Sequence, residues 1–174
     1  MTADLAARIR DIPDFPKRGI VFKDIMPLLA DADSLHETVE QLAAFAEPRR
    51  PDVVLGAEAR GFILGAALAY RLHSGFVAAR KPGKLPWRTI SAKYALEYGF
   101  DALELHADAI TAGTRVLIHD DLLATGGTAR AKIDLVEQLG GVVVGLAFVI
   151  ELEFLQGREK LSGYDVFSLV RYAS

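Results

Sequence analysis

The chain alternates short apolar runs typical of buried strands with segments of helical periodicity, and this alternation constrains its fold more than any other feature. Two strand, helix and strand units are predicted, at residues 52–56, 61–72 and 75–79, and at residues 115–119, 128–139 and 142–150. A further strand is predicted at residues 165–170. This order predicts an α/β fold in which a mainly parallel sheet is flanked by helices on both faces. Ligands of such sheets bind beyond the carboxyl ends of the strands.

Three segments lie outside these two units. The spacing of prolines and an aromatic residue in residues 12–25 favours an ordered, extended segment over a helix. Ser34 and Glu37 form a capping box that predicts the start of a helix, which ends at Pro48. Residues 81–107 contain two alternating runs around a turn, which predicts a protruding hairpin able to move as a lid.

Composition and charge exclude several classes of protein. With a formal net charge of −3 and one local basic cluster, the chain lacks the clustered lysines and arginines of a nucleic-acid-binding surface. Its longest apolar run, residues 142–150, is far shorter than the roughly twenty residues of a membrane-spanning helix. The absence of cysteine excludes disulfides and thiolate chemistry. We expect one cytoplasmic domain over residues 1–174, without an export signal and with no nucleic-acid or membrane partner.

The most informative segment, residues 116–128, joins an apolar strand to an acidic pair, a glycine-bearing turn and a helix. Gly126 and Gly127 allow a tight turn with exposed N–H groups, and the helix N-terminus favours an anion. Thr125 and Thr128 add hydroxyl donors. A phosphate monoester is the ligand that this turn suits best.

Two carboxylates precede the turn. Because like charges repel, Asp120 and Asp121 suit sugar hydroxyls or a magnesium-bound ligand better than the phosphate itself. The whole segment therefore predicts binding of a sugar phosphate. The alternative is a solvated acidic pair beside glycines that only form a turn. Neither a Walker loop nor a dinucleotide-binding fingerprint is present, which argues against an ATPase or a dehydrogenase.

Residues 116–128 resemble the phosphoribosyl pyrophosphate motif of the type I phosphoribosyltransferase family. The resemblance implies that Asp120 and Asp121 face the ribose hydroxyls of the donor. It also implies that five consecutive residues hold the 5-phosphate, namely Ala124, Thr125, Gly126, Gly127 and Thr128. His119 departs from the family, where an aliphatic residue is usual, and we expect it to pack at the strand end rather than act in catalysis.

Residues 56–61 place Arg60 between a strand and a helix, where its planar guanidinium suits pyrophosphate oxygens. A surface arginine without a ligand is the alternative. The segment also resembles the pyrophosphate loop of the family, which implies a cis peptide bond between Glu58 and Ala59.

The basic cluster and the hairpin complete this side of the predicted site. The cluster comprises Arg80, Lys81, Lys84 and Arg88. The resemblance assigns the first three to pyrophosphate, and a solvated basic loop is the alternative. Residues 94–99 resemble the mobile lid of the family, which implies that Tyr98 also contacts pyrophosphate. Glu97 is the candidate catalytic residue for proton movement on the base, and an ordinary exposed glutamate is the alternative.

Residues 12–25 closely resemble the N-terminal hood of those members of the family that use adenine. The resemblance implies an adenine pocket lined by Val21, Phe22 and Lys23, with the phenyl ring stacked on the purine and backbone atoms reading its edge. Residues 151–161 match a second such segment, which places Leu152 on the other face of the base. An amphipathic turn packed on the core is the alternative. The hood falls within about residues 1–30, and the lid within about residues 81–107.

The resemblance covers the chain from about residue 12 to residue 170. It implies transfer of phosphoribose from phosphoribosyl pyrophosphate to adenine, and a homodimer. It also implies Mg²⁺ as a cofactor carried by the donor, with Asp120 or Asp121 as the side chains able to approach it. Two alternatives stay open, namely an enzyme that uses another base and a regulatory protein that senses the donor. The hood argues against the first, and the lack of a nucleic-acid-binding domain against the second.

Overall fold

The computed structural model describes residues 4–96 and 99–174. Its helices and strands, in chain order, are β1 (Arg10–Pro13), β2 (Val21–Asp24), α1 (Met26–Ala30), α2 (Ala32–Ala46), β3 (Val53–Ala57), α3 (Arg60–Arg71), β4 (Gly75–Ala79), β5 (Thr89–Ala95), β6 (Phe100–His106), β7 (Arg115–Leu123), α4 (Gly127–Gln138), β8 (Val142–Leu152) and β9 (Val166–Tyr172). Within the described ranges, no helix combines the length and the apolar character needed to cross a membrane.

Five strands form one parallel sheet in the order β4-β3-β7-β8-β9. Successive strand residues point to opposite faces of the sheet, so its apolar strands present side chains on both faces. Helices cover both of these faces. Val54 enters a core with Leu64 and Leu68 of α3, whereas Leu55 enters a second core with Ile133 of α4. The prediction of a mainly parallel sheet between helices is therefore confirmed.

The start of α2 differs from the prediction. Asp31 is the N-cap, and its carboxylate accepts hydrogen bonds from the backbone N–H of Ser34 at 2.9 Å and from the Ser34 hydroxyl at 2.6 Å. Glu37 instead accepts from the Gln41 amide at 2.7 Å. The prediction that Ser34 and Glu37 form a capping box is wrong. The helix starts earlier, because Asp31, three positions before Ser34, is its N-cap.

The N-terminal segment is extended, as predicted, and it folds as a hairpin that the sequence did not reveal. Strands β1 and β2 pair antiparallel, with Ile12 opposite Phe22. The Asp14 carboxylate accepts a hydrogen bond from the Gly19 N–H at 2.7 Å, which closes the connection. The peptide bond between Phe15 and Pro16 is cis. We call this hairpin, residues 10–24, the hood.

The predicted second hairpin is also present. Strands β5 and β6 pair antiparallel, and the Leu96 N–H donates to the Gly99 carbonyl at 2.9 Å near the tip. Leu103 and Leu105 of β6 are buried in the second core, beneath α4. The hairpin is thus anchored along β6. Glu97 and Tyr98 lie outside the described residues.

Candidate active site

A pocket of about 220 Å³ lies at the carboxyl ends of β3 and β7. This is the edge of a parallel sheet at which ligands are expected. Its lining combines the residues before α3, the end of β7 and the start of α4, namely Ala57, Glu58, Arg60, Asp120, Asp121, Leu122, Leu123, Ala124, Thr125, Gly126, Gly127, Thr128 and Ala129, together with Phe148. The predicted phosphate loop, the acidic pair and Arg60 therefore share one cavity.

The phosphate loop joins β7 to α4, and Gly126 caps the helix with φ of 82°. A methyl group on Gly126 would lie 2.4 Å from the Gly157 carbonyl oxygen. The loop is therefore pressed against the connection between β8 and β9, which leaves space for hydrogen alone. The first N–H groups of α4 have no partner within the helix, and the residues that carry them line the pocket, which suits an anion. The contact with Gly157 was not predicted.

Each carboxylate of the acidic pair faces a cation. Asp121 Oδ2 lies 2.7 Å from Arg60 Nε, and Asp120 Oδ2 lies 2.7 Å from Lys132 Nζ. Because both carboxylates are largely buried, the alternative of a solvated acidic pair is wrong. The role of Lys132 was not predicted from the sequence, because a single lysine in a helix belongs to no recognisable motif. Its signal was its position four residues before Val136, on the buried face of α4.

Burial shifts the pKa values of two groups here. It raises the pKa of Asp121 to about 7, assisted by the neighbouring Asp120, while the positive charge of Arg60 opposes the shift. It lowers the pKa of His119 to about 4. His119 Nδ1 donates to the Ala147 carbonyl at 2.9 Å, whereas Nε2 is buried with no partner among the described residues. His119 is therefore a neutral core residue, as expected.

Arg60 also connects the pocket to the hood. Its guanidinium carbon lies 4.8 Å from the centroid of the Phe22 ring. Val21 beside it is half-exposed, whereas the Lys23 ammonium turns away to Asp11 at 2.7 Å and to the Tyr172 ring at 4.0 Å. Phe22 is therefore the hood side chain that reaches the pocket wall.

Leu152 lies at the end of β8, opposite Tyr172 of β9 in the sheet register. It packs against the core that contains α2 and α3, and it is not among the residues that line the pocket. The structure therefore does not bring Leu152 into this cavity.

Glu58 holds the basic loop beside Arg60. The peptide bond between Glu58 and Ala59 is cis, as predicted. Glu58 Oε1 accepts hydrogen bonds from Arg80 Nε at 3.1 Å and from the Lys81 N–H at 2.8 Å. The contacts of the Glu58 side chain were not predicted from the sequence, because its two partners follow it by more than twenty positions.

The remaining basic residues lie outside the pocket lining. The Lys81 ammonium pairs with Asp101 of the second hairpin. The carbonyl of Lys84 accepts from Arg80 Nη1 at 3.4 Å, and Arg88 lies beside the Trp87 ring. No group of three or more potential metal-binding side chains occurs in the part of the chain that the structure describes.

Comparisons with known proteins agree with this geometry. The chain matches the phosphoribosyl transferase domain over residues 27–171. It is 61% identical over 166 residues to an adenine phosphoribosyltransferase of Rubrobacter xylanophilus. The aligned residues cover 95% of this chain and 90% of that protein.

Two solved structures extend the similarity to three dimensions. An adenine phosphoribosyltransferase from Thermoanaerobacter pseudethanolicus superimposes with a TM-score of 0.96 and 55% identity, covering 99% of this chain and 100% of that one. An APRTase from Giardia lamblia complexed with 9-deazaadenine gives a TM-score of 0.93 and 37% identity, covering 99% and 98%. The similarity therefore spans the sheet, both hairpins and the pocket.

Proposed function

Because this chain belongs to the family of phosphoribosyl transferase domains, we propose that its pocket joins adenine to the ribose of phosphoribosyl pyrophosphate. The products are adenosine monophosphate and pyrophosphate, and the reaction is one of purine salvage. The observation that carries the proposal is the meeting of paired carboxylates with the N-terminus of α4 in one cavity. A phosphorylated sugar needs this combination of hydroxyl acceptors and phosphate donors.

The donor is proposed to lie along β7 and α4. Its 5-phosphate binds the loop of residues 124–128, whose residues line the cavity and whose backbone N–H groups suit an anion. Its ribose hydroxyls donate to Asp120 and Asp121. The distance along the chain between loop and carboxylates is only a few residues, which suits the short span from a 5-phosphate to the ribose ring.

Pyrophosphate is proposed to bind on the Arg60 side of the pocket. The Arg60 side chain is 35% exposed, so it is free to exchange Asp121 for a phosphate oxygen. Arg80 is held nearby through Glu58. Lys81, Lys84 and the undescribed Tyr98 complete this proposed set, although Lys81 would first have to leave Asp101.

Adenine is proposed to bind beside the Phe22 ring. The Lys23 side chain is engaged by Asp11, which leaves the backbone atoms of Val21 and Lys23 to meet the purine edge. Leu152 would cover the opposite face once the base is bound. Backbone recognition of this kind discriminates by the positions of donors and acceptors around the ring.

The chemistry requires positioning more than a nucleophilic residue. Adenine N9 forms a bond to the anomeric carbon as the bond from that carbon to the pyrophosphate oxygen breaks. Arg60 and Arg80 would stabilise charge on the departing oxygens, and the acidic pair would orient the ribose. Magnesium carried by the donor supplies further positive charge at the pyrophosphate, and the hard carboxylate oxygens of the pocket are compatible with it. Closure of the hairpin tip would exclude water.

Glu97 is proposed to accept the proton that adenine N9 loses. The Glu97→Gln variant is therefore expected to lower kcat and to remove one limb of its pH profile, because an amide cannot accept that proton. Steady-state kinetics across pH test this, with the exposed Glu159→Gln as control. An unchanged pH profile in Glu97→Gln, with donor binding intact, would show that the role is wrong.

The reaction itself is tested by supplying adenine, hypoxanthine, guanine, xanthine and orotate separately with magnesium and phosphoribosyl pyrophosphate. We expect adenosine monophosphate as the main product, identified by chromatography. Product from another base instead would retain the donor site and overturn the role of the hood. Tight donor binding without any product would favour a sensor of the donor.

Three further features stay predictions. Magnesium dependence and a homodimer are implied by the resemblance to the family. A cytoplasmic location is consistent with a chain that contains no cysteine, because cytosolic proteins do not rely on disulfides.

A further inference from the structure

Lys132 is a fully buried lysine on α4, with no exposed surface on its side chain. A buried ammonium is strongly unfavourable unless it is paired and hydrogen-bonded. Lys132 Nζ donates to Asp120 Oδ2 at 2.7 Å and to the His119 carbonyl oxygen at 3.2 Å. Both partners belong to β7, so this side chain ties α4 to the strand end that carries the acidic pair.

The Asp120 carboxylate is held at both of its oxygens. Oδ2 accepts from Lys132, and Oδ1 accepts from the backbone N–H of Asp121 at 3.0 Å. The start of α3 packs on the same group, since a methyl group on Gly61 would lie 2.8 Å from Asp120 Oδ1. Rotation of the carboxylate would therefore break a buried ion pair.

The two cations that pair with Asp120 and Asp121 differ in how easily they can be displaced. Arg60, which pairs with Asp121, is 35% exposed and reaches open space, whereas Lys132 is enclosed by the core. A phosphate oxygen can draw Arg60 away from Asp121, but no ligand can reach Lys132. When Arg60 moves to a bound anion, Lys132 is the cation that still balances the adjacent carboxylates.

We propose that Lys132 is a positioning residue that fixes the Asp120 carboxylate as an acceptor for the ribose hydroxyls. The inference rests on the proposed function, because it concerns the ribose of that same donor. It predicts that Lys132 contributes to recognition of the hydroxyl groups specifically, and not to binding of the phosphate or the base.

The test compares adenosine monophosphate with 2′,3′-dideoxyadenosine monophosphate, which lacks both hydroxyls, by isothermal titration calorimetry. The wild-type protein is expected to bind the first roughly 10-fold or more tightly, as hydrogen bonds to a charged acceptor warrant. In Lys132→Met, which keeps the length and removes the charge, this ratio should fall to about threefold or less. The KM for phosphoribosyl pyrophosphate should rise while the KM for adenine stays unchanged.

Arg130→Met is the matched control, because Arg130 lies two positions before Lys132 on the same helix, faces away from the core and pairs with Asp134 at 2.7 Å. It should keep the wild-type ratio. A purely structural role of Lys132 would weaken both nucleotides equally, and an unchanged ratio in Lys132→Met would overturn the inference alone. A wild-type protein that does not distinguish the two nucleotides would overturn the proposed ribose site, and this inference with it.

A measurement on the wild-type protein covers the case in which Lys132→Met does not fold. In a crystal structure with adenosine monophosphate and pyrophosphate, Lys132 Nζ should remain on Asp120 Oδ2 while Arg60 leaves Asp121. Departure of Lys132 from Asp120 in that complex would contradict the proposal.

Discussion

Replacing Gly126 with alanine is expected to lower kcat/KM for phosphoribosyl pyrophosphate by roughly 1000-fold or more, because several phosphate donors are displaced together. Gly126 has φ of 82°, and its new methyl group would lie 2.4 Å from the Gly157 carbonyl oxygen. That oxygen belongs to the backbone and cannot rotate away. The loop would have to move off the connection between β8 and β9, taking the first N–H groups of α4 with it. Steady-state kinetics with varied donor concentration measure the loss.

Gly163→Ala is the matched control for backbone strain. Gly163 has φ of 91°, and nothing lies within 4 Å of the methyl group that it would gain. The left-handed conformation alone costs about 1 kcal/mol, which corresponds to a fall in Tm of about 2–4 °C for a chain of this size. Its kcat/KM should stay near the wild-type value. Equal losses of activity in Gly126→Ala and Gly163→Ala would contradict the role of the close contact.

The reciprocal substitution addresses the same contact from outside the loop. A methyl group on Gly157 would lie 2.3 Å from the Ala124 carbonyl oxygen. Gly157→Ala should therefore reduce donor binding in the same direction, although Gly157 is remote in sequence from the phosphate motif. The position of the phosphate loop thus depends on a second chain segment.

The sheet could be predicted because its information is local. The apolar run of residues 75–79 became β4 with the same bounds. Strand β7 was predicted to end at His119 but continues to Leu123, because Asp120 and Asp121 interrupt the apolar pattern while the ladder with β8 carries on. Pairing with a neighbour can therefore extend a strand through polar residues that would end it in isolation.

In the candidate site, too, only the features that depend on local sequence could be predicted. The phosphate loop, the acidic pair and Arg60 were found because contiguous residues carry their chemistry, and the pocket brings them together. The contact of Lys132 with Asp120 depends instead on how α4 docks on β7. Likewise, Glu58 meets Arg80 only after β3 and β4 have paired. Partners created by tertiary packing leave no local pattern to detect.

His119→Val is expected to make the protein less sensitive to acid. Burial lowers the pKa of His119 from 6.5 to about 4, although the charge of Asp120 and the hydrogen bond to Ala147 oppose the shift. The positive charge of Lys132 adds to the lowering of the pKa, and Gly65 of α3 packs against the ring. The folded protein therefore holds this imidazole neutral at pH values where the unfolded chain already protonates it.

The sign of the effect follows from proton linkage. Between pH 6.5 and about 4 the unfolded state binds one more proton at His119, so the free energy of unfolding decreases as the pH falls. The loss is about 1.4 kcal/mol per pH unit, and about 3 kcal/mol by pH 4. Valine has no such proton to gain. The free energies of unfolding of His119→Val and wild type should diverge in this window and run parallel above it.

Urea unfolding followed by circular dichroism at half-unit steps from pH 8 to pH 4 measures this divergence. His36→Val, which removes an exposed imidazole from α2, is the control for the loss of a histidine side chain as such. Because His119 Nε2 is buried with no partner among the described residues, His119→Val removes an unsatisfied polar atom and places a β-branched residue in β7. A constant difference between His119→Val and wild type across the whole pH range would mean that His119 has the same pKa in the folded and unfolded states, which would contradict the effect of burial.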